Sequence, residues 1–136
     1  MTTTLRSAGP ISLANRPIAC CASMEAQLAG LEAGLDLIRA GAVSGEVAKV
    51  IHNTTEKHGF KNRSRAGYSI GINWMEKTTS LKLGDSTVLE PNMTFHLHLG
   101  SWVEEDFGYV LSESIRVTES GVEVITKAPR QLFILG

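Results

Sequence analysis

The sequence predicts an α+β fold, two antiparallel helices packed on an antiparallel sheet. Two observations carry the prediction. Between residues 23 and 58 apolar side chains recur at steps of three and four, and after Gly59 the period drops to two. A third observation bounds it. With 136 residues, 43% apolar and 20% charged, the chain suits one domain that needs neither disulfides nor metal to build a core.

Each element follows in order. Residues 1–22 read as an irregular lead with Gly9, Pro10 and Pro17, and residues 23–136 as the folded domain. In 23–40, Met24, Leu28, Leu31, Leu35 and Ile38 line one helical stripe, with Ser23 as N-cap and Gly41 as the stop. In 45–58, Val47, Val50, Ile51 and Thr54 form the face of a second helix, capped by Ser44 and closed by Gly59. The short link between them favours an antiparallel pair. Tyr68–Ile72 is a short strand, and residues 73–92 read as irregular, with Gly84-Asp85 as a turn. Met93, Phe95, Leu97 and Leu99 then alternate with Thr94, His96 and His98. Residues 109–118 alternate again, Ser120-Gly121 makes a turn, and Val122–Thr126 returns as a hairpin strand.

Several function classes are disfavoured early. Thirteen Lys and Arg against 14 Asp and Glu leave a net charge of −1, which argues against a nucleic-acid or anionic-membrane surface. No apolar run is long enough for a membrane span, and no signal peptide pattern is present, so cytoplasm is the expected compartment. Cys20 and Cys21 are adjacent, a spacing that gives neither a disulfide framework nor a zinc site.

Three constellations could carry chemistry. Glu113 falls on a strand face otherwise made of Tyr109, Leu111, Ile115 and Val117. A carboxylate there is costly unless paired, protonated or bound to a cation, although a sheet covered on both sides would blur the pattern. His96 and His98, two apart on a strand, point to one side; they could serve as acid and base, hold a metal ion, or simply face solvent. In Gly67-Tyr68-Ser69-Ile70-Gly71 the glycines allow close backbone approach, while Lys61, Arg63 and Arg65 just before it read as a solvated loop. Trp74 and Trp102 read as packing residues.

The order of motifs resembles a known family. Gly67-Tyr68-Ser69-Ile70-Gly71, Leu89-Glu90-Pro91-Asn92-Met93-Thr94-Phe95, Ser112-Glu113-Ser114 leading to Arg116-Val117-Thr118-Glu119-Ser120-Gly121, and Pro129-Arg130 are similar to the C-terminal half of the pita-bread fold. Methionine aminopeptidase, aminopeptidase P (Xaa-Pro peptidases) and creatinase share that fold, and the ectoine hydrolase–creatinase-like branch is the nearest in motif. The resemblance runs from about residue 24 to 135 and implies an incomplete, half pita-bread domain. Metal-dependent members hold two ions through two Asp, one His and two Glu. The two Asp belong to an upstream hairpin, the His would fall at Tyr68, the first Glu at His98 and the second at Glu113. The resemblance therefore implies no metal site and no cofactor here.

The ectoine hydrolase and creatinase branch implies metal-independent cleavage of a C–N bond in a small substrate. Its Trp-x-Glu-His-Thr stretch becomes Trp74-Met75-Glu76-Lys77-Thr78, with Lys77 where the His would stand. Glu113 and His96 are the catalytic residues carried over, and Tyr68, Lys77 and His98 the substrate-binding ones. A half domain leaves strand edges unpaired and a sheet face uncovered. The expected partners are therefore a small-molecule substrate and a second copy or a related chain, with activity impaired in isolation. The alternative is a non-catalytic association domain. A metal-binding module built on His96 and His98 is a third, weaker reading.

Overall fold

The computed structural model describes residues 3–7, 16–62, 64–103 and 107–132. The elements are β1 (Thr3–Ser7), α1 (Arg16–Leu37), α2 (Ser44–Lys57), β2 (Gly67–Gly71), β3 (Trp74–Leu81), β4 (Thr94–Val103), β5 (Phe107–Val117) and β6 (Val122–Val124). The strands form one antiparallel sheet ordered β1-β5-β4-β2-β3, and β6 pairs with the far end of β5. Both helices pack on one face, α1 along β4 and β5 and α2 beside β3. The predicted α+β architecture is the one observed.

The helices differ from expectation at their starts. α1 starts at Arg16, so the stretch read as an irregular lead contributes β1 and the first turns of α1. Ser23, expected to cap the helix, is mid-helix and fully buried, its hydroxyl bonded to that of Ser101. The innermost stripe is Cys20, Ser23, Gln27, Leu31 and Ile38, while Met24, Leu28 and Leu35 pack at its margin. Small residues let α1 lie close on α2. A Cβ on Gly30 would meet Thr55 Cγ2 at 2.5 Å, and one on Gly34 would meet Ile51 Cγ1 at 2.6 Å. The same pairings show that the helices run antiparallel. A stripe of small and polar residues has no apolar period, which is why the first turns escape a hydrophobicity reading.

α2 ends as expected. Gly59 has φ +88°, and the amides of Gly59 and Phe60 return to the carbonyls of Glu56 and Thr55. Its start is built differently from the expected Ser44 cap. The N-cap is Val43, whose side chain has no acceptor for the first amides, and the Ser44 hydroxyl donates to Asp85 Oδ1 at 2.8 Å. The Gly45 amide donates to the Asp85 carbonyl at 2.9 Å, so the loop after β3 satisfies the helix's first donors. Asp85 is held down to a pKa of about 2, chiefly by its hydrogen bonds to Thr87.

β3 occupies a stretch expected to be irregular. Its pairing with β2 runs Gly67↔Leu81 and Tyr68↔Ser80, then slips to Ile70↔Met75. The Ser69 hydroxyl fills the resulting bulge, donating to the Glu76 carbonyl at 3.0 Å and sharing a hydrogen bond with Thr78 Oγ1 at 2.7 Å. A bulged edge strand with exposed flanks carries no alternation to read. The core lies between the helices and the β4–β5 pair, where Phe95, Leu97, Tyr109, Leu111, Ile115 and Val117 are all essentially buried.

Candidate active site

The register of β4 on its neighbours sorts the sequence-predicted site residues between two faces. Tyr68 pairs with His96, His96 with Ser114, and His98 with Ser112. Glu113 pairs with Leu97, which in turn pairs with Gly67. Directly opposed residues in an antiparallel ladder project to the same side. Tyr68, His96 and His98 therefore share the open face, and Glu113 points with Leu97 into the helix-covered face.

On the open face the rings form a cluster. The His96 ring centroid is 5.3 Å from that of Tyr68, 5.2 Å from Trp74 and 6.0 Å from His98. Trp74 Nε1 donates to the Tyr68 hydroxyl at 3.2 Å, so the phenol keeps its own proton to donate. His96 Nδ1 is buried and has no hydrogen-bond partner among the described residues. Burial, reinforced by the neighbouring His98, lowers the His96 pKa, so the imidazole is neutral at pH 7. His98 stands exposed beside it.

Glu113 is 1% exposed, and its Oε1 accepts from Arg130 Nε at 2.8 Å. Its Oε2 is buried without a partner among the described residues. The sequence reading of a carboxylate on an apolar face is right, but the structure does not bring Glu113 to the imidazoles. Its ion pair instead ties the C-terminal segment bearing Pro129 and Arg130 to the sheet. The β5 residue that faces His98 is Ser112. Lys77 is exposed on β3 and lines a surface groove with Arg65, Met75 and Glu76.

Two residues dismissed by sequence reasoning belong to the cluster. Trp74 is 52% exposed and has φ 63°, a left-handed conformation that costs a non-glycine residue about 1 kcal/mol or more and that concentrates at functional sites. The Arg65 guanidinium lies over the Tyr68 ring, its Cζ 4.7 Å from the centroid. Trp74 reaches the cluster across strands, from β3 to Tyr68 on β2 and His96 on β4, whereas Arg65 stacks on Tyr68 three residues further along the same segment. Arg63, from the same basic run, lies outside the described residues. Trp102 is also not a core residue; it is 66% exposed and its ring lies on Gly108.

The donor set does not fit a dinuclear metal centre. On the open face stand two imidazoles, a phenol and the serines Ser112 and Ser114, and the buried carboxylate is turned away. Among the described residues no three His, Cys, Asp or Glu side chains gather as a metal site would require. What the cluster can do is accept and return a proton at a neutral imidazole, donate a hydrogen bond from a phenol, and stack a flat group on an indole. No helix among the described residues is long and apolar enough to cross a membrane.

Comparison with known proteins agrees with this architecture. Residues 16–119 match the model of metallopeptidase family M24. The chain is 59% identical over 111 residues to an uncharacterized hydrolase/peptidase, y4tL, of Sinorhizobium fredii, covering 82% of this chain and 28% of that protein. It is 44% identical over 114 residues to the ectoine hydrolase of Halomonas elongata, covering 80% of this chain and 28% of that protein. Among solved structures, the Xaa-Pro dipeptidase of Bacillus anthracis superposes with a TM-score of 0.78 at 26% identity, over 94% of this chain and 35% of that one. The chain thus spans 28–35% of the length of these relatives. With two helices on an antiparallel sheet and this match over most of its length, the chain belongs to metallopeptidase family M24 and is related within it to ectoine hydrolase.

Proposed function

We propose that the chain supplies one wall of a metal-independent hydrolase site that opens a C–N bond in a small ring-bearing substrate. One observation carries the reading. A neutral His96, whose buried Nδ1 has no partner among the described residues, sits between Tyr68 and Trp74 on the face away from the helices. A buried polar atom left unpaired costs about 1–3 kcal/mol, so such a site is completed by a ligand or water. In the reaction His96 takes a proton from the attacking water and returns it to the leaving nitrogen. Tyr68 donates its hydroxyl proton as a hydrogen bond to the charge that develops, His98 orients the substrate, and Trp74 stacks on the ring. Relationship to ectoine hydrolase supports the substrate class, and the open face supports impaired activity without the opposite wall.

The test is a chimera in which this chain replaces the matching segment of the Halomonas ectoine hydrolase. The chimera should hydrolyse ectoine in the presence of a chelator and lose at least about 100-fold in kcat on His96→Asn. Turnover that needs added cobalt or manganese, or cleavage confined to Xaa-Pro dipeptides, would reject the reading.

A second reading is favoured by the apolar side chains left uncovered. Trp102 is 66% exposed, Ile72 fully so and Met75 47%, and β3 forms an edge of the sheet. On this reading the domain associates with a second copy or a related chain and needs no chemistry. Light scattering separates the two, because a monomer at every concentration removes self-association.

A further inference from the structure

We infer that Arg65 is the anchor for a carboxylate on the substrate, set beside the aromatic shelf so that ring and carboxylate are read together. The inference rests on the reading of the open face as a substrate wall. The guanidinium is exposed yet placed, stacked over Tyr68 at 4.7 Å and donating from Nη2 to Met75 Sδ at 3.3 Å. Neither contact neutralises its charge.

No carboxylate pairs with Arg65 among the described residues, whereas Arg116 and Arg130 each hold a glutamate. The acids nearest in the shared groove are otherwise engaged. Glu76 Oε1 accepts from the Asn73 amide at 3.1 Å, and Asp85 Oδ1 holds Ser44 and Thr87. The chain beneath the side chain is fixed, since the next residue, Ala66, donates its amide to Leu81 and accepts from the amide of His98. A planar fork with donors to spare, fixed at its base and lying on the ring that partners His96, is suited to bidentate capture of a carboxylate. The substrate class is then a small planar or near-planar ring that carries a carboxylate, with the scissile C–N bond toward His96.

The indole N–H signals of Trp74 and Trp102, assigned with Trp102→Phe, give a direct reading in the intact chain. Ectoine should shift the Trp74 signal with a Kd about tenfold lower than 2-methyl-1,4,5,6-tetrahydropyrimidine, the same ring without its carboxylate. Arg65→Gln should abolish that difference and Arg65→Lys should restore part of it. Equal affinity of the wild-type chain for the two rings overturns the anchor, as does an Arg65→Gln variant that weakens both alike. Benzoate separates this inference from the reading beneath it. If neither amidine ring moves Trp74 but benzoate does so through Arg65, the anchor stands and the amidine reading falls; if benzoate also fails, the anchor falls.

Discussion

The two faces of one sheet have been built to different rules. Toward the helices, β4 and β5 present Phe95, Leu97, Tyr109, Leu111 and Ile115, each buried to the last few per cent, and the one carboxylate there is held by Arg130. Away from the helices the same strands present His96, His98 and Trp102, with Tyr68 and Trp74 alongside and a buried imidazole nitrogen that has no partner among the described residues. The first face is closed by the helices and holds the fold together, although Glu113 Oε2 on it also lacks a partner among the described residues. The second leaves apolar and hydrogen-bonding capacity unspent, which is what a surface that meets a ligand or another wall retains.

The contrast can be broken by substitution, beginning with the largest effect. Phe95→Ala should cost about 3–5 kcal/mol in denaturant unfolding, because the ring is fully buried in the core. Arg130→Ala should cost about 3 kcal/mol, since it strands a buried carboxylate, and Glu113→Gln should cost less because it removes the charge. If the faces are separate, neither change at the ion pair alters ligand shifts at Trp74. On the open face Trp102→Ser should change stability by no more than about 0.5 kcal/mol while reducing any self-association. A loss of several kcal/mol there would mean that the face is not open.

Acid sharpens the same comparison. His96 and His52 are both lowered from the ordinary 6.5, each chiefly by burial. The unfolded chain therefore binds protons first, and stability should fall as the pH drops below about 6.5. His96→Gln should remove its share of that fall. Asp85 acts lower and on the helix side. Its depressed pKa gives stability that is complete above the ordinary 3.8 and lost as the pH falls toward about 2. Asp85→Asn should flatten only that acid limb and loosen the start of α2.

Much of this was legible in the residues themselves. The β4 and β5 alternation, the αL glycines after each helix and the Ser120-Gly121 turn all resolve locally, because each depends on neighbours within a few positions. α1's first turns were not legible, because they bury Cys20 and Ser23 where large apolar groups would have signalled a stripe. β3 was not, because a bulge held by Ser69 replaces its alternation. The site was half legible. Glu113 reads correctly as a carboxylate on the greasy face and His96 as its opposite, but whether they meet depends on how β4 and β5 slide on each other. A one-residue change in that register exchanges the faces, and nothing within either strand declares it. Trp74 reaches the cluster only through such cross-strand placement, while Arg65 joins it locally through Tyr68.

The separation of Glu113 from His96 is tested most directly by following the His96 ring through its titration by NMR in the wild-type chain and in Glu113→Gln. A carboxylate touching an imidazole raises its pKa, so removing it would drag the midpoint down. The arrangement described predicts a wild-type midpoint below 6.5 that stays where it is in Glu113→Gln. A midpoint above 6.5, or one that falls when the carboxylate is removed, would contradict it.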